Sequence, residues 1–520
     1  MNRRELGAGA AVVALVGGLA STATAQSRDP QQVAFYDGFN DSLARLPSDI
    51  QPDVRAFYEQ NGWRPVWTDQ RTQELRAAMM QAERHGLSYE DWLDFDSVVR
   101  DDPSAREMRT TLGALAYARI LSEGRVHPEQ VEDLWEMDKN RVDLPAGLNA
   151  AIGGNRLAQW YEELAPNDFG YNNLSDGYVR YRRLLAQGGW PAFRAGAAIA
   201  PGGTDSRIPV LVARLIAEGD LTGADATAAR NAGNVYNAAV ERGLRSFQAR
   251  HGLAVDGRIG AGTQRSLAVS TEDRARQIAL NLERRRWLNR NPNPERIEVN
   301  TAAAIMVYIK DNRPVHSSRV VVGDPSNQTP SLERPFASFM ANPPWYVPAG
   351  IARNEILPRG PAYLAARNMY VQNGQVIQRA GPTAALGYVK FELRDSYAIF
   401  LHDTPAKDVF NMAMRQRSHG CVRVQGAIDF ARLLLSPDPA RLAEFNEALE
   451  TKETKRIQAG REIDVRLLYW TAFVDGQGRV AFREDVYRRD RRLAEALGIA
   501  INLPEPVRDT TGRDETDDGP

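Results

Sequence analysis

Near Ile297 the hydrophobic period of this chain changes from three-to-four residues to two, so a helical part must be joined to a sheet. Upstream, over about 36–185, apolar residues recur at helical spacing in Val54-Phe57-Tyr58, Leu75-Met79 and Leu112-Leu115-Ala116-Ala118-Ile120. Breakers at His85-Gly86, Gly124 and Asn167 punctuate the pattern. Residues 61–67 read as a turn carrying two tryptophans, a packing corner. His85 and His127 stand alone, which predicts surface or capping roles for both. The Gly-, Ala- and Pro-rich stretch 195–205 reads as a linker or loop. Thr271 is expected to cap a helix over about 272–287, with Arg284, Arg285 and Arg286 either solvated or pinned by acidic partners. Downstream, Val307-Tyr308-Ile309 and Arg319-Val320-Val321-Val322 flank Asp311-Asn312-Arg313-Pro314 as a hairpin. Residues 397–402 read as a strand with His402 on the face of Ala398 and Phe400. The segments 351–357 and 362–370 read as helical, 427–435 as an amphipathic helix, and 470–474 as a strand before an Asp475-Gly476 turn. At 520 residues several domains are expected, and the fold class is multidomain α+β.

Arg3 and Arg4 precede an apolar stretch over 6–19 and then Ala23-Thr24-Ala25, the order of a secretory signal, so 1–25 reads as a cleaved leader. The stretch is shorter than the roughly 20 residues a membrane span requires. No other run is long enough, so the mature form is expected to be exported without a span, with the Sec and Tat routes both open. Lys+Arg number 65 and Asp+Glu 66, a formal net charge of −1. Without a basic surplus to neutralise phosphates, nucleic acid is excluded as a partner. The polar segment 506–520 is expected to be a disordered tail.

Cys421 is the single cysteine, so it forms no internal disulfide. It lies in Ser418-His419-Gly420-Cys421-Val422-Arg423, with His402 nineteen residues upstream. In an oxidising compartment such a thiol is retained for its reactivity. A thiolate nucleophile requires a base or a positive environment, which His402 or His419 can supply. An inert buried cysteine and a zinc site from His402, His419 and Cys421 are the alternatives, the latter without an evident fourth ligand. His402 is the preferred base because it ends a strand where packing can aim its ring; His419 competes for the role. Consecutive N–H groups of His419, Gly420 and Cys421 can form an oxyanion site, Gly420 permitting the required backbone angles. Ser418 is expected to hydrogen-bond within the turn. Arg423 is placed to pair with a substrate carboxylate or to form a structural salt bridge. Tyr388 and Trp345 are candidate pocket walls or core. Cysteine acyl transfer of this kind needs neither metal nor organic cofactor.

His402-x(15)-Ser418-His419-Gly420-Cys421 resembles the signature of the L,D-transpeptidase (YkuD-type) catalytic family. The likeness extends to Asn300, Val321-Val322-Gly323, Gln328-Thr329-Pro330, Asn342-Pro343, Trp345, Val347-Pro348, Leu386-Gly387, Val389-Lys390-Phe391 and Leu401-His402-Asp403-Thr404-Pro405. The whole resembles the large multidomain (YcbB-type) branch of Gram-negative envelopes. Separately, Phe247-Gln248 through Gly260 resembles a small three-helix peptidoglycan-binding module. These likenesses imply a helical scaffold at 30–200, the module at 206–270 and a connecting helix at 271–292. They imply a mainly-β, sandwich-like catalytic domain at 295–475 with a capping insertion at 344–386, then a C-terminal extension at 476–505. They also imply a periplasmic enzyme whose Cys421 attacks a peptidoglycan tetrapeptide stem, releases D-alanine and forms 3→3 cross-links. Carboxypeptidase action, attachment of envelope proteins to peptidoglycan, an amidase or protease with the same nucleophile, and a non-enzymatic wall anchor are the alternatives. In the family the backbone carbonyl beside the histidine fixes its tautomer, here that of Asp403; a substrate contact for the Asp403 carboxylate stays open.

Overall fold

The computed structural model describes residues 50–506 except Val99 and 395–397. The expected leader, nearly all of the expected tail, the start of the helical region (36–49) and the first residue of the strand expected at 397 lie outside the described residues.

The helical part contains Gln51–Gln60, Asp69–Met79, Pro103–Glu123, Leu144–Gly153, Leu157–Leu164 and Phe169–Ala186. Local chemistry sets the ends. The Asp102 carboxylate accepts from the N–H groups of Ser104 and Ala105, Pro103 takes the first turn, and the helix stops at Gly124. Val54, Phe57, Tyr58, Leu75, Met79, Leu115 and Ala118 meet in one core, as their spacing requires. The Trp63–Trp67 corner is pinned by Glu107, which accepts from the N–H groups of Val66 (2.8 Å) and Trp67 (3.1 Å). His127 is exposed at the start of a short helical turn, as expected. His85 is not on the surface. It is buried, shares a 2.9 Å hydrogen bond with the Tyr171 hydroxyl, and burial with the Arg286 charge pushes its pKa down to about 3.

Helix Thr271–Arg286 is buried along most of its length and packs against Phe169–Ala186. Its cap is Ser270, whose hydroxyl accepts from Asp273 N–H; Thr271 instead accepts from Trp190 N–H. The three terminal arginines are pinned: Arg284 by Asp490 (2.5 Å), Arg285 by Asp168 (3.3 Å) and Arg286 by Glu283 (2.6 Å). The module has four helices, a short one at Gly223–Asn231 joining Ile208–Glu218, Ala238–Arg250 and Ala261–Ala268. Gly252 (φ +67°) and Gly257 (φ +71°) make the turns read from the sequence. Stretch 195–205 is tied into the module rather than free, because Ile199 bridges Ile259 and Thr204 bridges Val235.

The strands, in chain order, are β1 (Trp135–Glu136), β2 (Arg296–Asn300), β3 (Ile305–Lys310), β4 (Arg313–Gly323), β5 (Ser331–Ala341), β6 (Trp345–Tyr346), β7 (Met369–Gln372) and β8 (Gln375–Gln378). There follow β9 (Val389–Leu393), β10 (Leu401–His402), β11 (Gln416–Ser418), β12 (Val422–Val424), β13 (Lys455–Gln458), β14 (Asp464–Leu468), β15 (Ala472–Val474) and β16 (Val480–Phe482). The hydrogen-bonded path β5-β14-β2-β3-β4-β12-β10-β9 returns to β5, so the sandwich-like domain is closed on itself. Asp311 and Asn312 both take positive φ (+52° and +58°) in the β3–β4 turn, whose twist suits a tight hairpin. One core joins Val299, Met306, Val320, Phe391, Leu401 and Val422 with Phe430 and Leu434 of helix Ala427–Leu435. β1, from the helical part, adds to the outer edge of β5.

The insertion between β5 and β9 has its own sheet, β6-β8-β7, and its own core of Trp345, Val347, Ile356, Met369, Val376 and Leu386. The expected helix to 370 ends at Ala366, because Asn368 turns left-handed (φ +53°) and Met369 starts β7. Where one helix was expected at 351–357, a π-helical turn, Ala352–Ile356, runs into a 3₁₀ turn, Leu357–Arg359. The boundary expected at 475 cuts the β15–β16 hairpin, whose Ala472, Val480 and Phe482 belong to the helical core.

Candidate active site

Parallel pairing of β10 with β12 sets Leu401 beside Val422 and His402 beside Arg423. Cys421 immediately precedes this pairing, and Val422 N–H donates to Phe400 O at 3.0 Å. Leu401, Val422 and Val424 belong to the core, so alternation turns His402, Arg423 and Cys421 to the opposite face. The Phe400 ring lies 5.5 Å from that of His402 and packs against the core of the insertion, which therefore covers this face. His402 is fully buried and Cys421 is 5% exposed.

The His402 Nδ1–H donates to the Asp403 carbonyl (2.5 Å), which fixes the tautomer and gives Nε2 the lone pair. The Asp403 carboxylate is buried. It accepts from Tyr388 N–H (3.0 Å) and pairs with Lys407. Gly387 is required for this approach, since a Cβ there would sit 2.4 Å from Asp403 Oδ2. The Cys421 thiol lies 3.7 Å from the Ala398 carbonyl.

The Ser418 hydroxyl donates to Cys421 O (2.6 Å) and accepts from Gly420 N–H (3.2 Å), bracing the turn as expected. Gly420 thus spends its N–H on Ser418 instead of presenting it to an oxyanion, and contributes a left-handed bend, φ +112°. The His419 ring bonds to Glu355 of the π-helical turn (2.8 Å), tying the insertion to the turn that holds Cys421. Arg423 is 1% exposed and lies between His402 and Val321 in register. Trp345 is 2% exposed and forms the core of the insertion, whereas Tyr388 is 38% exposed. Among the described residues no three His, Cys, Asp or Glu side chains gather as a metal requires.

Some residues around the turn escaped the sequence. Thr329 donates its hydroxyl to Gly420 O (2.8 Å) and accepts from Gly323 N–H (2.9 Å). Tyr487 donates to Gly323 O (2.6 Å), and Arg489 donates to Thr329 O (3.2 Å) while paired with Glu132 of the helical part (2.7 Å). The Gln328-Thr329-Pro330 run signalled Thr329 only as part of a resemblance; Tyr487, Arg489 and Glu355 lie in segments with no motif.

Residues 294–442 match the model of the YkuD L,D-transpeptidase catalytic domain, with the His402 and Cys421 strands inside the match. The β domain is thus similar to YkuD-type L,D-transpeptidase catalytic domains. Residues 52–177 match the model described as a scaffold domain. Over 240 residues the chain is 29% identical to a Haemophilus influenzae protein whose name provisionally assigns it as an L,D-transpeptidase. That alignment covers 42% of this chain and 48% of the relative, so the chain spans about half the length of the curated relative it matches. An L,D-transpeptidase structure (residues 123–326) from Xylanimonas cellulosilytica is 16% identical, with a TM-score of 0.18, over 53% of this chain and 98% of that one. A cysteine-to-serine mutant of the Enterococcus faecium L,D-transpeptidase is 11% identical, with a TM-score of 0.17, over 39% of this chain and 65% of that one. Neither superposition is close enough to bear on the fold.

Proposed function

We propose that this chain is a periplasmic peptidoglycan L,D-transpeptidase of the large multidomain (YcbB-type) branch, with Cys421 as nucleophile and His402 as base. The observation that carries the assignment is the His402 Nδ1–H bond to Asp403 O, which leaves Nε2 as the proton acceptor on the strand beside Cys421. His419 is the weaker candidate, because its Nε2 bonds to Glu355.

In the proposed reaction His402 takes the thiol proton and the Cys421 sulfur attacks the carbonyl of the diamino acid at position three of a tetrapeptide stem. N–H groups of the turn, that of Cys421 first, meet the developing oxyanion. The C–N bond to the terminal D-alanine breaks, its amine takes the proton from His402, and a thioester remains. A neighbouring stem's amine then attacks the thioester, losing a proton to His402, forming the 3→3 amide and releasing the thiolate; water in its place gives a carboxypeptidase, and a protein amine gives an anchored envelope protein. The module at 206–270 is the proposed contact with the polymer, and the insertion at 344–386 the cover over the acyl donor. No helix among the described residues is long and apolar enough to cross a membrane.

Incubating the purified chain with disaccharide-tetrapeptide and weighing the products tests this reading. A cross-linked dimer short of one D-alanine supports it, and a tripeptide product alone makes the chain a carboxypeptidase. An unchanged substrate would leave the wall-anchor alternative and overturn the enzyme.

A further inference from the structure

A cavity of about 780 Å³ lies between the module, the β domain and the strand pair near the C-terminus. It does not include Cys421 or His402. Five arginines line it: Arg258 and Arg265 from the module, Arg319 and Arg415 from the β domain, and Arg483 after β16. Two acids also line it, and both are engaged: Asp256 with the Gln248 side chain (2.9 Å) and Arg258 N–H (2.8 Å), Glu484 with Arg265 (3.5 Å).

Among the described residues no carboxylate lies within ion-pair distance of Arg258, Arg319, Arg415 or Arg483. Backbone carbonyls hold three of these four instead. Arg319 donates to Phe410 O (3.1 Å), Arg415 to Met412 O (2.8 Å) and Val320 O (3.2 Å), and Arg483 to Arg250 O (2.8 Å) and Phe482 O (2.7 Å). Carbonyls fix a guanidinium in place without cancelling its charge. Burial pushes Arg415 down to about 10, and the Arg319 charge adds to the shift. Burial does the same to Arg483, with Arg415 and Arg250 adding and Asp475 offsetting part. Mutually repelling cations, oriented and lacking counter-charges around one cavity, are costly to maintain unless an anion enters.

The cavity also has a fixed relation to the catalytic turn. Arg319 and Gly323 are four residues apart on β4, about 13 Å at strand rise. Gly323 is the register partner of Ser418.

We propose that this cavity is a second polymer-binding site that takes a carboxylate-bearing stem peptide other than the one acylated at Cys421. The inference rests on the peptidoglycan reading above and deepens it. The stem's free carboxylates meet Arg319, Arg415 and Arg483 from one side and Arg258 from the other, so module and β domain grip one stem together.

The test uses the full chain carrying Cys421→Ala, so binding is read without turnover. Co-sedimentation with intact sacculi compares this protein with the same chain carrying Arg258→Gln and Arg319→Gln, and with an Arg313→Gln control. Losing two charge-assisted contacts should weaken binding about tenfold or more, and the control should bind as the parent does. Sacculi whose carboxyl groups have been amidated should bind the parent as weakly as native sacculi bind the double variant. Unchanged affinity in the double variant, or equal binding of the parent to amidated and native sacculi, overturns the proposal. Should the double variant fail to fold, Arg258→Glu alone, at an exposed module position, reads the same outcomes. Failure of D-alanine release by the intact enzyme would overturn the reading of Cys421 and leave this binding result standing.

Discussion

Cys421 and His402 stood out because their chemistry is rare in this chain: one thiol, and a histidine ending the strand that pairs with the one Cys421 precedes. What surrounds them was not. Glu355 reaches His419 across 64 residues and Tyr487 reaches Gly323 across 164, and no local pattern encodes such pairings. Replacing Cys421 by Ala should abolish D-alanine release with the melting midpoint nearly unchanged, because the smaller side chain keeps the backbone of the turn. His402→Ala should slow acylation by about 10²–10⁴-fold, and His419→Ala by less; steady-state and single-turnover rates on soluble tetrapeptide check the order, and a reversal would transfer the base role to His419. His85 carries a different expectation. Held neutral in the fold, with its pKa lowered to about 3 from 6.5, it binds a proton in the unfolded chain first. Stability from this group is therefore complete above about pH 6.5 and falls as pH drops toward 3, by about 1.4 kcal/mol per pH unit for one proton. Melting midpoints between pH 7 and 4 should fall less steeply in His85→Gln than in the parent; parallel slopes would count against the burial argument.

Elements with a clear period or a strong stop were read correctly: the β3–β4 hairpin, helix Ala427–Leu435 and the helix ending before Gly252. The insertion was harder, since its strands of two to four residues are too short to show alternation and its helical stretch changes pitch three times. The burial of Arg214, Glu218 and Arg250 in the module carries no sequence signal, because charged residues at helical spacing look the same on a solvated face. The π-helical turn is where the insertion touches the catalytic turn, through Glu355. Glu355→Ala removes that tie without opening a core, as Glu355 is partly exposed. Its KM on tetrapeptide should rise several-fold with the melting midpoint shifted little; an unchanged KM would make the contact incidental to the cover.

At the scale of the molecule, the helical part and the β domain are joined by more than the connecting helix. Glu132 and Arg489 form a buried pair that also carries the Thr329 carbonyl beside the catalytic turn. Breaking it from one side leaves a buried charge, so Glu132→Ala should cost about 3–5 kcal/mol, read by denaturant unfolding, and should lower activity near the midpoint. Glu132→Ala combined with Arg489→Met should recover part of the loss, and no recovery would show that the pair is not the cause. The module is joined as firmly, with Arg250 donating to Val480 O (2.8 Å), so deleting 206–270 should lower the melting midpoint as well as wall binding.

The closed path of strands depends on its last member. β14 sits between β5 and β2, and its Leu467 pairs with Val299, far back along the chain. Bringing such distant segments together loses much chain entropy before any contact rewards it, so refolding should take seconds rather than milliseconds. Until Asp464–Leu468 has emerged from the ribosome, β5 and β2 each present a row of unsatisfied N–H and C=O groups to any other chain. A truncation ending before Asp464 would keep both His402 and Cys421 and still be expected to precipitate.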